Sequence, residues 1–282
     1  MLYSAVKQYL VRALRYIKLP ELVLNAYIQW KCGRFPLNAP RFVDFVAYTN
    51  HGSAHPEVKR LLLDDLPPKA SGAVRLVVIS DTHERHREVV VPPGDVFIHC
   101  GDILFSSGLT CQRRGLRILA DFNNWLSAIP CPERIVVGGN HDWALESLSA
   151  VMQRELLSAG TLLHDECVKL PHSGIVVYGN AHSSGRSHNR AWQTEEPTVS
   201  GNCADAEVVV THHCSNQLKE AVLAVVKPKV WASGHDHQGH GAQEEDGILF
   251  VNAAIADGKY RPVQPPVVVD IQPKVAINGM CP

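Results

Sequence analysis

Several features that would assign a function class directly are missing from this 282-residue sequence. No stretch approaches the roughly 20 apolar residues that a membrane-spanning helix requires. Basic residues are not in excess, because 27 lysines and arginines face 28 acidic residues and give a formal net charge of −1. A general nucleic-acid-binding protein needs such an excess to neutralise phosphates, so we expect no general nucleic-acid binding. No GxGxxG segment follows the first predicted strand, which argues against a dinucleotide-dependent oxidoreductase.

The eight cysteines include no CxxC pair. Their wide spacing argues against a zinc ribbon, a thioredoxin-like redox motif and a small disulfide scaffold. We therefore predict reduced thiols, several of them buried, in an intracellular and cytoplasmic protein.

The first 20 residues carry four basic side chains and no acidic one. Their apolar residues recur at near-helical spacing, which predicts an amphipathic helix. The favoured interpretation is a helix that docks on the domain through its apolar face. A mitochondrial targeting segment, or a helix in weak contact with a membrane surface, would have the same features.

A segment with two prolines and a glycine at residues 66–72 predicts a domain boundary. Residues 1–70 before it are interpreted as an N-terminal helical and irregular extension, and residues 71–282 as the catalytic domain. Eight runs in this second part have the length and β-branched content of buried strands. They are residues 75–80, 95–100, 134–137, 174–178, 207–211, 229–233, 247–251 and 266–271.

Helices are predicted between several of these strands, over residues 113–129, 143–158 and 215–226. Ser215 is the expected N-cap of the last one. Strands that alternate with helices indicate an α/β architecture with much parallel pairing. The last two strands have no helix between them, so mixed sheets are expected.

Polar side chains directly follow five of the eight predicted strands. Because the carboxyl ends of strands in an open α/β sheet meet at one crevice, we expect these side chains to lie close together. Residues two apart would point the same way if the chain stayed extended beyond each strand. Nearby glycines at positions 101, 138, 139 and 234 would allow close backbone approach. The side chains concerned are Asp81, His83, Asp102, Asn140, His141, His212, His213, His235 and His237.

Carboxylate, amide and imidazole groups suit Mn, Fe, Zn or Co, and a set without thiolates argues against a structural zinc site. Two ions about 3.5–4 Å apart require one bridging carboxylate and several further ligands each. The set of side chains therefore predicts a site for two metal ions.

The order of these motifs resembles the calcineurin-like metallophosphoesterases. The chain reads D-T-H, G-D, G-N-H-D, T-H-H and G-H-D-H between Asp81 and His237. The S-D-T-H opening, the spacing from Pro93 to Asp102 and the Gly-His-Gly segment at 239–241 are similar to the metallophosphoesterase-domain (MPPED) branch. The resemblance covers about residues 72–272 and implies mixed β-sheets packed as a sandwich flanked by helices.

The resemblance also implies two divalent transition metal ions, with manganese among the candidates, and divides the ligands between them. The implied assignment is Asp81, His83 and His237 for the first ion, Asn140, His212 and His235 for the second, Asp102 as the bridge, and His141 facing the leaving group. His213 is the alternative to its neighbour His212, which we prefer because it directly follows the strand.

Two departures from the family pattern matter. Many relatives place an acidic residue three positions after the G-D aspartate to steady the catalytic histidine, but this chain has Phe105 there. Some sequences of the branch replace the first histidine of G-H-x-H by glycine, whereas this chain keeps His235, which favours an active enzyme.

The segment 179–192 offers further histidines and arginines, either as part of the crevice or as a surface loop.

The resemblance implies phosphoester hydrolysis by a phosphodiesterase or phosphatase that uses a metal-bridged hydroxide as nucleophile. The branch favours small phosphodiester substrates, cyclic nucleotides among them. The alternative is a nucleotide-binding or scaffold protein with a weakly active site.

Overall fold

The computed structural model describes residues 45–51, 58–105, 112–184, 189–194, 197–199 and 203–274. The helix predicted over the first 20 residues lies outside the described residues. So do Arg186 and His188 of the segment 179–192.

Thirteen strands in the described part of the chain form two mixed sheets. The strands are β1 (Phe45–Asn50), β2 (Lys59–Leu62), β3 (Val74–Ile79), β4 (Val96–His99), β5 (Glu133–Val136), β6 (Thr161–Leu162), β7 (Glu166–Lys169), β8 (Val176–Asn180), β9 (Val208–Thr211), β10 (Val230–Ser233), β11 (Gly241–Glu245), β12 (Ile248–Asn252) and β13 (Val267–Ile271). The first sheet has the order β2-β1-β13-β3-β4-β5-β6, and the second has the order β11-β12-β10-β9-β8-β7. Strands β3 to β6 are parallel to one another, as are β8, β9, β10 and β12.

All eight predicted strands are present, as β3, β4, β5, β8, β9, β10, β12 and β13. The five strands that the sequence did not reveal are short or lie toward the edges of the sheets. For example, β11 is mostly exposed and polar, and β2 is exposed at three of its four residues. An edge strand is not covered on both faces, so its sequence lacks the continuous apolar run that marks a central parallel strand.

Four helices occur among the described residues: α1 (Gln112–Ser127), α2 (Trp143–Glu146), α3 (Ala150–Leu156) and α4 (Asn216–Leu223). The predictions of α1 and α4 are confirmed, and Ser215 Oγ accepts a hydrogen bond from Leu218 N at 3.3 Å as the N-cap of α4. The single helix predicted over residues 143–158 is wrong. The chain forms α2 and α3 instead, because Ser149 adopts an extended conformation and caps α3. None of the described helices is long and apolar enough to cross a membrane.

The two sheets pack face to face, with helices on both outer surfaces. Leu76 of β3 and Val210 of β9 belong to the buried cluster between the sheets. The alternate residues face outward: Phe97 of β4 packs beneath α1, and Trp231 of β10 packs beneath α4. The predicted α/β sandwich of mixed sheets flanked by helices is confirmed, because each central strand buries both of its faces.

Strands β1 and β2 lie before the predicted domain boundary at residue 70, yet they belong to the first sheet. β1 pairs in parallel with β13, and Thr49 in it is buried. We therefore propose that the catalytic domain begins near residue 45 rather than at residue 71.

Cys167 of β7 and Cys203 form a disulfide across 36 residues of chain. The prediction that all the cysteines are reduced thiols is therefore wrong at this pair. The error has a physical cause: the prediction rested on sequence spacing, whereas the fold brings together two cysteines that are remote in the chain. Cys100 and Cys131 are free and buried, as expected. An intracellular location loses the support of the cysteines and stays a prediction.

We expect the substitution Cys203→Ser to lower the free energy of unfolding by roughly 2–4 kcal/mol under oxidising conditions, because the unfolded chain loses a constraint. Urea unfolding with and without reductant measures the effect. Cys214→Ser is the control, since Cys214 is free and half-buried. Equal stability of Cys203→Ser and the wild-type chain without reductant would contradict the prediction.

Candidate metal centre

The loops that follow β3, β4, β5, β9 and β10 meet at one end of the sandwich. A parallel bridge between Ser80 and Ala254 joins the two sheets there. The crevice contains a cavity of about 300 Å³. Its lining residues are Asp102, Asn140, His141, His235, Asp236, His237, Gln238, Gly258 and Tyr260.

The chain does not stay extended beyond these strands, so the condition under which residues two apart would point the same way is not met. Asp81, His83, Asp102 and His235 have φ values of 56°, 44°, 56° and 69°. Such left-handed conformations are uncommon for residues other than glycine and are often found at functional sites. Main-chain hydrogen bonds hold two of these turns together, because His83 N donates to Asp102 O at 3.0 Å. The side chains converge because the backbone turns sharply, not because it runs straight.

Two of the predicted glycines make this convergence sterically possible. A Cβ atom on Gly139 would lie 2.2 Å from Asp102 Oδ1, and one on Gly234 would lie 2.3 Å from Asp81 Oδ2. Real Cβ atoms do not approach other atoms so closely. Any larger residue at either position would displace a carboxylate of the site.

One half of the site is built around Asp81, His83 and His237. The Nε2 atoms of His83 and His237 lie 3.2 Å apart. Asp81 Oδ1 lies 3.3 Å from His237 Nε2 and 3.8 Å from His83 Nε2. Asp102 Oδ2 lies 3.8 Å from His83 Nε2.

The other half is built around Asn140, His212 and His235. His212 Nε2 lies 2.9 Å from Asn140 Oδ1 and 3.1 Å from His235 Nδ1. Asp102 Oδ1 lies 3.4 Å from the same His212 Nε2. The two oxygens of Asp102 therefore face different halves of the site. His213 points elsewhere, because its Nδ1 lies 2.9 Å from Ser184 Oγ and its ring packs on His235.

In three of the histidines, the neutral ring presents a lone pair to the site rather than a hydrogen. His83, His212 and His237 each use Nδ1 to donate a 2.9 Å hydrogen bond to a main-chain carbonyl, that of Leu104, Cys100 and Asp257 respectively. A carbonyl only accepts, so Nδ1 carries the proton and Nε2 of the neutral ring is an acceptor. When the rings are neutral, acceptor atoms in both halves therefore face one another at hydrogen-bond distance, and a bound cation would stabilise this arrangement. Metal-binding histidines have this second hydrogen bond as a rule.

The titration behaviour of most of the buried groups agrees with this view. His237 is the exception, because its hydrogen bond with Asp81 outweighs the effect of burial and raises its pKa. Burial lowers the pKa of His83 and of His212, which keeps both rings in the neutral form that binds metals. Burial, with His212 and His213 nearby, lowers the pKa of His235 to about 3. Burial and the neighbouring charge of Asp81 raise the pKa of Asp102. A cation between the two carboxylates would remove this repulsion.

The donor set therefore fits metal ions. Three groups of aspartate and histidine, each with ligand atoms within 4.8 Å of one another, occur in the described residues. They are Asp81, His83 and His237; Asp81, Asp102 and His212; and His83, Asp102 and His141.

His141 lies at the edge of the cavity, and its Nε2 is 3.7 Å from Asp102 Oδ2. Its Nδ1 donates to the main-chain carbonyl of Phe105. The orienting acid that the sequence lacks at position 105 is thus replaced by the backbone of the same residue. Burial lowers the pKa of His141 to about 3, so the ring is neutral at rest.

Sequence reasoning left the segment 179–192 open, and the structure connects it to the crevice through Asn189. Asn140 Nδ2 donates to Asn189 O at 3.3 Å, which turns Asn140 Oδ1 toward His212. Asn189 Nδ2 lies 3.1 Å from His141 Nε2. His182 from the same segment is buried, with its Nδ1 3.1 Å from Thr194 Oγ1. No motif marks Asn189, because its contact depends on where the loop folds.

His99, the last residue of β4, is fully buried behind the site. Gly101 N donates to His99 Nδ1 at 3.2 Å, so the other ring nitrogen, Nε2, carries the proton toward Thr82 Oγ1 at 3.1 Å. His99 therefore links the turn that carries Asp81 to the turn that carries Asp102.

Tyr260 also lines the cavity, and no motif in the sequence marks it. Its ring centroid lies 4.7 Å from that of His83 and 5.9 Å from that of His141. Its φ of 60° is unusual for a bulky residue. Tyr260 N donates to Asp257 O at 2.8 Å, the same carbonyl that orients His237.

Comparison with known proteins agrees with the geometry. A family model described as a calcineurin-like phosphoesterase superfamily domain matches residues 74–272. Human metallophosphoesterase domain-containing protein 1 is 26% identical over 262 residues, which cover 74% of this chain and 76% of that protein. A UPF0046 protein of Caenorhabditis elegans is 28% identical over 275 residues, covering 84% of this chain and 94% of that protein. A solved structure of a protein of unknown function from Aquifex aeolicus is 16% identical, with a TM-score of 0.30 over 69% of this chain and 95% of that one.

Proposed function

Since this chain belongs to the calcineurin-like phosphoesterase superfamily, we propose that it hydrolyses phosphoesters with two divalent transition metal ions. One observation carries the proposal. Histidine nitrogens and carboxylate oxygens from two sheets face one another in a buried crevice, and the two oxygens of Asp102 face opposite halves of it. An abandoned site would tend to lose such ligands, which argues against a scaffold protein.

In this proposal each half of the site holds one ion. When bound, two ions lower the pKa of a water toward neutrality and offset the charge of phosphate oxygens. The protein supplies the ligands in fixed orientations, so little reorganisation is needed during the reaction. The ligands are Asp81, His83 and His237 in the first half, Asn140, His212 and His235 in the second, and Asp102 between them.

His141 has a different role, which is to stabilise or protonate the leaving oxygen. Its Nδ1 is held by the Phe105 carbonyl, so its Nε2 faces the cavity. A phosphate anion beside the neutral ring would favour the protonated form, and the carbonyl at Nδ1 favours it too.

The lining of the cavity supports phosphodiesters over phosphomonoesters. Of the residues that the structure describes, no lysine or arginine lines it, and Asp236 lies at its exposed rim. A monoester carries up to two negative charges near neutral pH, whereas a diester carries one. Because the described lining residues include no cation to hold the second charge, we propose small phosphodiesters as substrates, including cyclic nucleotides.

We expect a strong chelator to abolish hydrolysis of bis-p-nitrophenyl phosphate, and added Mn²⁺ or Co²⁺ to restore it. The ligands are all nitrogen and oxygen donors, which release first-row ions to a chelator. The measurements are metal content and turnover before and after treatment, and a panel of cyclic nucleotides, nucleotides and sugar phosphates then tests the preference for diesters. Undiminished turnover in protein shown to be metal-free would contradict the proposal.

A further inference from the structure

Two charged residues outside the ligand set lie directly behind the site. Glu84 follows the first ligand turn, and Arg114 lies in the first turn of α1. Arg114 Nη1 and Nη2 donate to Glu84 Oε1 and Oε2 at 2.7 and 2.6 Å. The side chains are only 11% and 12% exposed, so this bidentate ion pair is shielded from water.

Glu84 also holds the backbone on which two functional histidines depend. Phe105 N donates to Glu84 Oε1 at 3.2 Å. That amide shares one peptide plane with the Leu104 carbonyl, which accepts the hydrogen bond from His83 Nδ1. The next carbonyl along the chain, that of Phe105, accepts from His141 Nδ1.

Two further hydrogen bonds hold the neighbouring amides of this segment. Asp142 accepts from Ile103 N at 3.2 Å and from Leu104 N at 2.8 Å, one residue earlier than the Phe105 amide. Glu84 thus holds the N–H side of the plane between Leu104 and Phe105. Arg114 holds the carboxylate in place through a rigid, two-point contact.

We propose that Glu84 and Arg114 are positioning residues that orient His83 and His141 through the backbone of residues 104 and 105. The pair thereby takes the place of the acidic side chain that this chain lacks at Phe105. The inference rests on the proposed function, since it assigns His83 to metal binding and His141 to the leaving group. It makes two predictions, one for metal affinity and one for catalysis.

A buried ion pair can also serve stability alone, and the substitutions must separate the two roles. The double variant Glu84→Met/Arg114→Met replaces the pair with apolar side chains of comparable length, and such replacements often preserve stability. It removes the acceptor of Phe105 N all the same. Glu84→Gln is the conservative variant, because its amide oxygen can still accept from Phe105 N. The exposed pair Arg154–Glu166 supplies the matched control, Arg154→Met/Glu166→Met.

The first readout is metal affinity, measured by competition of Mn²⁺ with a chromogenic chelator. The second is the ratio of turnover on an alkyl phosphodiester to turnover on bis-p-nitrophenyl phosphate. In the double variant we expect the affinity for Mn²⁺ to fall by about 10- to 100-fold. The ratio of alkyl to p-nitrophenyl turnover should also fall, while thermal stability stays near that of the wild type. Glu84→Gln and the control pair should keep both values.

A stable double variant with wild-type affinity and an unchanged ratio would overturn the inference. If the double variant does not fold, Arg114→Gln takes its place. Its Mn²⁺ affinity and its turnover ratio then test the inference in the same way. Failure of the proposed function is seen separately, as a wild-type chain that binds Mn²⁺ without hydrolysing any ester. The affinity measurement tests the positioning of His83 even then.

Discussion

Replacing His141 with alanine should leave two metal ions per chain and reduce turnover of alkyl phosphodiesters by about 100- to 10,000-fold. The proposed ligands of both ions are other side chains. Without the imidazole, the two oxygens of Asp102 still face His83 and His212. A histidine that acts on the leaving oxygen matters least when that oxygen is already a stable anion. The loss should therefore be much smaller for p-nitrophenyl esters.

The measurement compares kcat on the two ester types alongside metal content. The comparison between substrates is its own control, because a general disturbance of the site would slow both alike. Equal losses for alkyl and p-nitrophenyl esters would contradict the role of His141. Loss of a metal ion in His141→Ala would instead indicate that His141 is a metal ligand, as its grouping with His83 and Asp102 allows.

The substitution His235→Gly should reduce metal content from two ions to one and lower turnover by about 100-fold or more. His235 Nδ1 lies 3.0 Å from Asn140 Oδ1 and 3.1 Å from His212 Nε2, so it completes the second half of the site. A one-metal site would still bind phosphate but would activate water poorly. Glycine suits the φ of 69° at this position, so backbone strain should not explain the loss.

His240→Gly is the control for this prediction. His240 lies five residues further along the chain, and its Nε2 faces the Pro265 carbonyl at 2.9 Å, outside the set of candidate ligands. We expect His240→Gly to keep two ions and most of its turnover. Two ions in His235→Gly with fewer in His240→Gly would require the second half of the site to be assigned anew.

Local chemistry in the sequence was enough to predict the central strands and the polar residues after them. A central strand that is buried on both faces has a short, largely apolar sequence, as in β3, β9 and β10. Asp81 and His237 lie 156 positions apart, yet each lies within four residues of the end of such a strand. The direction of parallel strands is sufficient to bring both side chains to the same end of a sandwich.

Only the tertiary structure decided how those residues are held. The left-handed turns at Asp81 and Asp102 depend on hydrogen bonds between neighbouring strand ends. The spacing of residues in the sequence does not predict these hydrogen bonds. The disulfide between Cys167 and Cys203, the amide of Asn189 and the edge strands all arise from contacts between distant segments.

The clearest case is position 105. The sequence determined that no acidic side chain is present there, because phenylalanine has none to offer. It could not determine that the backbone carbonyl of Phe105 orients His141, since every residue has a carbonyl and only the fold directs it. The chemistry of a side chain follows from the identity of its residue. The direction of a main-chain group depends instead on tertiary contacts, here those of Glu84 with Arg114 and with the Phe105 amide.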